Sequence, residues 1–330
     1  MLDYTNKKVL IMGLGLNQGG VGAVRFFLKQ RARVSVTDIK PRRFLLPSVR
    51  KISEFQKKLG TSVQPVRYIL GRHQKRDFTN ADIVIKGPGV SQNSPFLKLL
   101  RKRRIPIETD VGIFFKYCPA PIIGITGSKG KSTTASLIAD ILRGISSDVV
   151  LAGNIGTSCL DSLDRITPNT KVVLELSSWQ LEDLKRIKKS PAISVITNVL
   201  KEHLNRYKNF KAYAEAKSLI CAFQKKNEYC IVHTSAKAVL LPFLRKSQAN
   251  VLFFQTQKKH SVRLRVSNQA LRGEHNLANI EAATRVSKLL HIPNIKIKKA
   301  LQNYKGLTGR EESYIIMIPP LPCRMPRSLH

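Results

Sequence analysis

The run Gly124-Ile125-Thr126-Gly127-Ser128-Lys129-Gly130-Lys131-Ser132-Thr133-Thr134 has residue types and spacing suited to holding nucleotide phosphates. Glycines let backbone N–H groups converge on an anion, and a helix starting at the end of the loop adds its dipole. On this reading Gly127, Ser128, Lys129, Gly130, Lys131, Ser132 and Thr133 form the cradle. The Lys131 ammonium reaches the β- and γ-phosphates of ATP, and the Ser132 hydroxyl sits on Mg2+. One detail departs from the general pattern: position 125, five before Gly130, is isoleucine, and the first glycine is displaced to Gly124. The plainer alternative is a turn rich in Gly, Ser and Lys ahead of a helix. The flanking sequence weighs against it. Pro121-Ile122-Ile123 reads as a short buried strand, and Ala135 to Leu142 has the apolar spacing of a helix.

A second glycine turn lies near the start. Lys8-Val9-Leu10-Ile11-Met12 reads as a strand, Gly13 to Gly22 as a glycine-rich turn, and the chain through Phe26-Phe27-Leu28 as a helix. Arg33-Val34-Ser35-Val36-Thr37 reads as the next strand and ends at Asp38. This is a βαβ unit with a Rossmann-like turn and an acidic residue after its second strand. Taken alone, the fingerprint suggests a dinucleotide. The rest of the chain shows no hydride-transfer machinery and already holds a dedicated nucleotide loop. Asp82-Ile83-Val84-Ile85-Lys86 predicts a further strand, with Gly87-Pro88-Gly89-Val90 a tight turn at the sheet edge.

With 330 residues the chain has room for two domains with proper cores, and 42% hydrophobic residues make it globular rather than disordered. No apolar stretch approaches bilayer length, and the polar Met1 to Lys8 segment leads straight into a strand. A cytoplasmic protein with no membrane insertion and no secretory signal is expected. Cys118, Cys159, Cys221, Cys230 and Cys323 are scattered, odd in number and without metal-site spacing, so they read as free thiols. The balance of 57 Lys and Arg against 21 Asp and Glu gives +36, which favours polyanionic ligands. The basic residues fall in short, dispersed clusters such as Arg101-Lys102-Arg103-Arg104, without interleaved aromatics. Acidic small-molecule substrates therefore fit better than specific nucleic-acid readout, and a nucleic-acid-associated ATPase is the weaker alternative.

The order of these motifs resembles the Mur ligase family. The first glycine domain is followed by a strand ending in Pro-Gly-Val, then Ile-Glu-Thr-Asp-Val, then the Gly124 loop. Leu174-Glu175-Leu176-Ser177-Ser178-Trp179-Gln180-Leu181-Glu182 is similar to the E-L-S-S-F-Q-L element of the D-glutamate-adding branch. Asn198 to Tyr207 resembles the N-x-x-x-D-H-x-D-R-Y element, and Gly273-Glu274-His275-Asn276-Leu277-Ala278-Asn279 the G-x-H-N-x-x-N element. The resemblance runs from about residue 7 to about residue 310. It implies an α/β protein in which residues 1–118 form a Rossmann-like UDP-sugar-binding domain and 119–308 a P-loop-type ATP-binding domain.

The implied activity is ATP-dependent addition of D-glutamate to UDP-N-acetylmuramoyl-L-alanine, through an acyl phosphate, in cell-wall precursor synthesis. By resemblance, Lys131, Glu175, His203 and Lys217 are the catalytic residues, and Ser132, Glu175, His203 and a carbamylated Lys217 hold Mg2+. Asn276, Asn279 and Arg310 contact ATP, while Leu16, Asn17, Asp38, Asn154 and Ser177 contact the UDP-sugar substrate. A monomer is expected. A catalytically inactive nucleotide- or UDP-sugar-binding homologue is the alternative.

Departures accompany the resemblance. Glu202 and Asn205 stand where the family element has aspartates, and Gly309 where it has histidine. Residues 315–330 carry four prolines in sixteen residues, incompatible with a sustained helix or central strand. The expectation is that 309–330 is a truncated or frameshifted remnant of the family's third, Rossmann-like domain, and that ligation is impaired.

Overall fold

A computed structural model describes residues 3–16, 18–256, 271 and 273–306, side chains at 274 and 275 excepted. The tail at 309–330, with Gly309 and Arg310, and the substrate-contact position Asn17 lie outside the described residues.

The first unit holds β1 (Lys8–Met12), α1 (Gln18–Lys29), β2 (Arg33–Asp38), α2 (Arg42–Leu59), β3 (Arg67–Leu70), α3 (Lys75–Thr79), β4 (Ile83–Lys86), α4 (Pro95–Lys102), β5 (Ile107–Glu108) and α5 (Asp110–Tyr117). Its strands pair in parallel in the order β3-β2-β1-β4-β5. That order reverses between β1 and β4, so the turns after these two strands border the crevice where a doubly wound sheet binds its ligand. The Gly87–Val90 turn therefore does not follow an edge strand, as the sequence had suggested. β4 is interior, with all four residues buried, because a continuous Ile-Val-Ile run suits a strand covered on both faces.

The second unit holds β6 (Ile122–Thr126), α6 (Lys131–Arg143), β7 (Val149–Gly153), β8 (Lys171–Glu175), α7 (Ser178–Ile187), β9 (Ile193–Ile196), α8 (Phe210–Ser218), β10 (Tyr229–His233), α9 (Lys237–Leu244), β11 (Asn250–Phe254), α10 (Glu274–Leu289) and α11 (Asn294–Asn303). Its parallel sheet runs β11-β10-β9-β6-β8-β7. β6 is thus central, flanked by the strand that ends at Glu175 and the strand that leads to Asn198. The helix after the loop begins at Lys131, four residues earlier than the apolar spacing predicts, because Gly130 (φ +81°) starts it in the left-handed region.

The two units share one hydrophobic core. It runs from Val24 and Phe27 of α1 through Phe114 of α5 to Leu160, Leu181 and Leu184 of the second unit. Between them lies a buried ion pair: Lys86 Nζ at the end of β4 is 3.1 Å from Asp183 Oδ1 on α7, each side chain 3% exposed. Gln92 Nε2 donates to the same oxygen at 3.0 Å. Burial outweighs the Lys86 ammonium and pushes the Asp183 carboxyl up to about 6. At Gly22 of α1 the junction has no room for a side chain. A Cβ there would stand 2.1 Å from Ser158 Cβ. Gly22→Ala is expected to lower stability by about 1–3 kcal/mol through overpacking, read from the midpoint of denaturant unfolding.

Candidate functional site

The Gly124–Thr134 loop is clamped by two neighbouring segments, and each leaves no room for a side chain. Gly127 (φ +151°) packs so closely that an added Cβ would meet Thr197 Oγ1 at 1.9 Å, while one on Gly130 would meet Asn279 Oδ1 at 2.3 Å. Asn198, after β9, accepts at Oδ1 from the backbone N–H groups of Ser128 (3.1 Å) and Lys129 (2.9 Å). Its Nδ2 donates to Lys129 O at 3.0 Å, and Thr197 Oγ1 donates to the same carbonyl at 2.6 Å. On the α10 side, Thr134 Oγ1 donates to Asn279 Oδ1 (3.2 Å), and Asn279 Nδ2 donates to Asn276 Oδ1 (3.1 Å). The loop is thus a preformed nest at the N-terminus of α6, the geometry that binds phosphate.

Within the loop, Gly127, Ser128 and Ser132 are buried, Thr133 is half-buried and Lys129 is exposed. The Lys131 ammonium donates to Ser128 O at 2.8 Å, curled over the loop. Asn279 is buried against that loop, and Asn276 is buried beside it as its hydrogen-bond partner.

Glu175 ends β8 and stands in register with Ile125 of β6, two residues before Gly127. It is 2% exposed. Its Oε1 accepts from Asn154 Nδ2 at 2.9 Å, and its Oε2 is buried with no hydrogen-bond partner. A buried carboxylate oxygen left unpaired is costly and calls for a cation or donor at that spot. Asn154 is tied to Glu175 by its backbone as well, its N–H donating to Glu175 O at 2.9 Å. Ser177 caps α7 in a capping box, accepting from Gln180 N at 3.3 Å while Gln180 Oε1 accepts from Ser177 N at 3.0 Å. This fixes the helix just downstream of Glu175.

Lys217 on α8 is 2% exposed, not on a solvated face. Its Nζ donates to Gly127 O at 2.7 Å and lies over the Tyr213 ring at 4.5 Å. Burial, reinforced by the nearby Lys131 charge, pulls its pKa down to about 7. His203 adopts φ +56°, its ring 5.7 Å from Tyr213 and 6.2 Å from Trp179. Among the described residues, no three His, Cys, Asp or Glu side chains form a ready metal cluster.

In the first unit, Asp38 accepts from Gly15 N (3.1 Å) and Lys40 N (2.9 Å), so its carboxylate shapes the glycine turn itself. Leu16 stands 53% exposed beside it. The turns after β1 and β4 touch: Gly87 N donates to Met12 O at 2.8 Å, and a Cβ on Gly87 would meet Gly13 O at 2.7 Å. Thr197, Tyr213, Lys86 and Asp183 received no role from sequence reasoning. Asn198 was visible only as the first letter of a motif.

Fold and site define an α/β protein of two parallel-sheet units, with a tightly packed glycine loop at a helix N-terminus in the second. The Mur ligase MurD-like N-terminal domain matches residues 7–109, and the Mur ligase middle domain matches 125–287. The chain belongs to the Mur ligase family. Within it, a UDP-N-acetylmuramoylalanine–D-glutamate ligase of Roseiflexus sp. is 33% identical, covering 94% of this chain and 70% of the relative. The same-named ligase of Borreliella burgdorferi is 43% identical over 66% of this chain. The chain spans 46% of that relative's length, about half. Among solved structures, a UDP-N-acetylmuramate:L-alanyl-γ-D-glutamyl-meso-diaminopimelate ligase of Neisseria meningitides superposes with TM-score 0.64 at 15% identity, covering 92% of this chain and 99% of the other, a likeness of fold. No helix of the described residues is long and apolar enough to cross a membrane.

The unfolded chain keeps a proton on Lys217 up to its ordinary 10.5, whereas the folded chain releases it near 7. This group therefore makes stability rise with pH between about 7 and 10.5. Lys217→Met is expected to remove that rise, seen as a difference between wild-type and variant in unfolding midpoints across the range.

Proposed function

We propose that this chain binds ATP and UDP-N-acetylmuramoyl-L-alanine and activates the substrate carboxylate for addition of D-glutamate, a cytoplasmic step of cell-wall precursor synthesis. Residues 1–118 form the UDP-sugar domain and 119–308 the ATP domain. The observation that carries this reading is Glu175: a buried carboxylate with one unpartnered oxygen, in register with the strand that feeds the phosphate loop. The kinship with D-glutamate ligases supports the choice of substrates.

The substrate carboxylate attacks the γ-phosphorus of ATP, giving an acyl phosphate and ADP; the amine of D-glutamate then displaces phosphate and forms the amide. Both steps concentrate negative charge, so positioned cations and N–H donors supply much of the rate. The loop N–H groups and Lys131 hold the nucleotide phosphates, and Asn198 and Asn279 keep the loop in its binding shape. Leu16 and Asp38 border the uracil, and Asn154 and Ser177 face the sugar peptide. The donor set fits Mg2+, which takes one or two carboxylates together with phosphate oxygens. Glu175 and the Ser132 hydroxyl would hold it, joined by His203 and Lys217. When bound, it neutralises charge on the transferring phosphoryl group. An ammonium cannot ligate a cation, and the lowered pKa of Lys217 leaves the neutral amine that attacks CO2, giving a carbamate and releasing a proton.

Three measurements test this. Incubation with ATP, Mg2+, UDP-N-acetylmuramoyl-L-alanine and hydroxylamine is expected to trap the acyl phosphate as a hydroxamate. Glu175→Gln is expected to lower that yield by roughly 10²–10³-fold, and Lys131→Ala to abolish tight ATP binding in calorimetry. Nucleotide binding without any hydroxamate assigns the chain to a non-catalytic homologue, and unchanged ATP affinity in Lys131→Ala sinks the loop assignment. Carbon-13 bicarbonate is expected to give a carbamate NMR signal that is absent in Lys217→Met; its absence from the wild type removes Lys217 from the Mg2+ ligands.

A further inference from the structure

A cavity of about 710 Å3, lined by no residue of either glycine loop, opens between the two units. Its volume is that of a small-molecule site, and domain junctions are where such sites concentrate. One wall is the stretch Ile105, Pro106 and Ile107 leading into and along β5; the opposite wall is α8, through Ala212, Ala216 and Leu219. These walls are apolar. The inner end is the buried Lys86–Asp183 pair, in which Asp183 Oδ2 has no hydrogen-bond partner.

The charges that line the cavity are not balanced. Lys86, Arg101, Arg104, Lys185 and Arg186 face Glu182, Asp183 and Glu215. Most of these are already engaged. Lys86 holds Asp183, Arg186 pairs with Glu108 at 2.7 Å, Glu182 pairs with Arg206 at 3.4 Å, and Arg101 donates to Gln92 O and Oε1 at 3.3 Å. Arg104, Lys185 and Glu215 form no ion pair among the described residues, which leaves two cations against one carboxylate. The two cations belong to different units, Arg104 ahead of β5 and Lys185 on α7, and both are exposed. An excess of exposed, unpaired cations lining a cavity with apolar walls complements a molecule with an apolar body and an anionic head.

We propose that this junction cavity is a second ligand site, separate from the ATP and UDP-sugar sites, that takes a small amphipathic organic anion. The head group, a carboxylate, sulfonate or phosphate, sits between Arg104 and Lys185, and the apolar body lies along Ile107, Ala216 and Leu219. A ligand there touches both units at once. It also rests on the face of α8 opposite Lys217, the residue that reaches Gly127. Occupancy therefore bears on how the two units sit and on the helix that supports the phosphate loop.

The probe is 8-anilinonaphthalene-1-sulfonate, an aromatic body with one permanent negative charge. Its fluorescence is titrated on the full chain, with and without saturating ATP and UDP. One saturable site is expected, unaffected by either nucleotide. Its affinity is expected to fall at least ~10-fold in Arg104→Glu/Lys185→Glu and to disappear in Ala212→Trp, which fills the cavity from α8. Lys57→Glu/Lys58→Glu makes the same charge change on α2 and is expected to leave binding intact. No binding to the wild type, displacement by ATP or UDP, or equal losses in the two charge-reversed variants each overturns the proposal. Should Ala212→Trp fail to fold, the two surface reversals still decide it.

Discussion

The second unit is organised around a phosphate loop with no spare volume. Gly127 and Gly130 adopt backbone angles that favour glycine, and the space a Cβ needs is already taken by Thr197 and Asn279. A loop of converging N–H groups would repel itself and flex without such bracing. Here β9 supplies the brace on one side and α10 on the other, with Asn198 accepting from two consecutive loop N–H groups. The position of β6 at the middle of its sheet makes this possible, since strands on both sides deliver side chains to the same point.

Electrostatics at the site carries two costs that the fold itself leaves standing. Glu175 is buried with an unpaired oxygen, and Lys217 is buried enough to lose its proton near neutral pH. Neither arrangement favours an empty site, because desolvated charge is expensive without a partner. Both are understandable where phosphates and a hard cation gather. The Lys86–Asp183 pair at the unit junction is similar in kind. Desolvation outweighs its Coulombic gain at Asp183, so it contributes geometry between the units more than stability.

Much of this was legible in the residues. The two glycine turns, their strands and Asp38 announce themselves through local chemistry: apolar runs, glycine spacing and an acid at a strand end. Glu175 was legible too, as a carboxylate that ends an apolar strand. Ser177 was less so, because the same hydroxyl that a substrate contact would use also closes the cap of α7. The interior place of β4 was missed, because strand order depends on which helices cross which face and leaves no trace in the strand itself. By residue type Lys217 is one more lysine in a chain of charge +36; only its place after the His203 segment singled it out, and its burial against Gly127 and Tyr213 belongs to the fold.

By itself, then, the sequence determined the local units: where the glycine loops lie, which strands are apolar enough to be buried, and which family the ordered motifs resemble. Those are properties of short segments, in which backbone conformation and burial follow from neighbouring residue types. Tertiary structure alone decided which distant side chains share a volume. Asn198 under the loop, Asn279 against Gly130, Lys86 on Asp183 and the cavity between β5 and α8 all join residues from about 70 to about 150 positions apart. Pairings of that kind are set by sheet order and close packing of whole elements, and no local pattern records them.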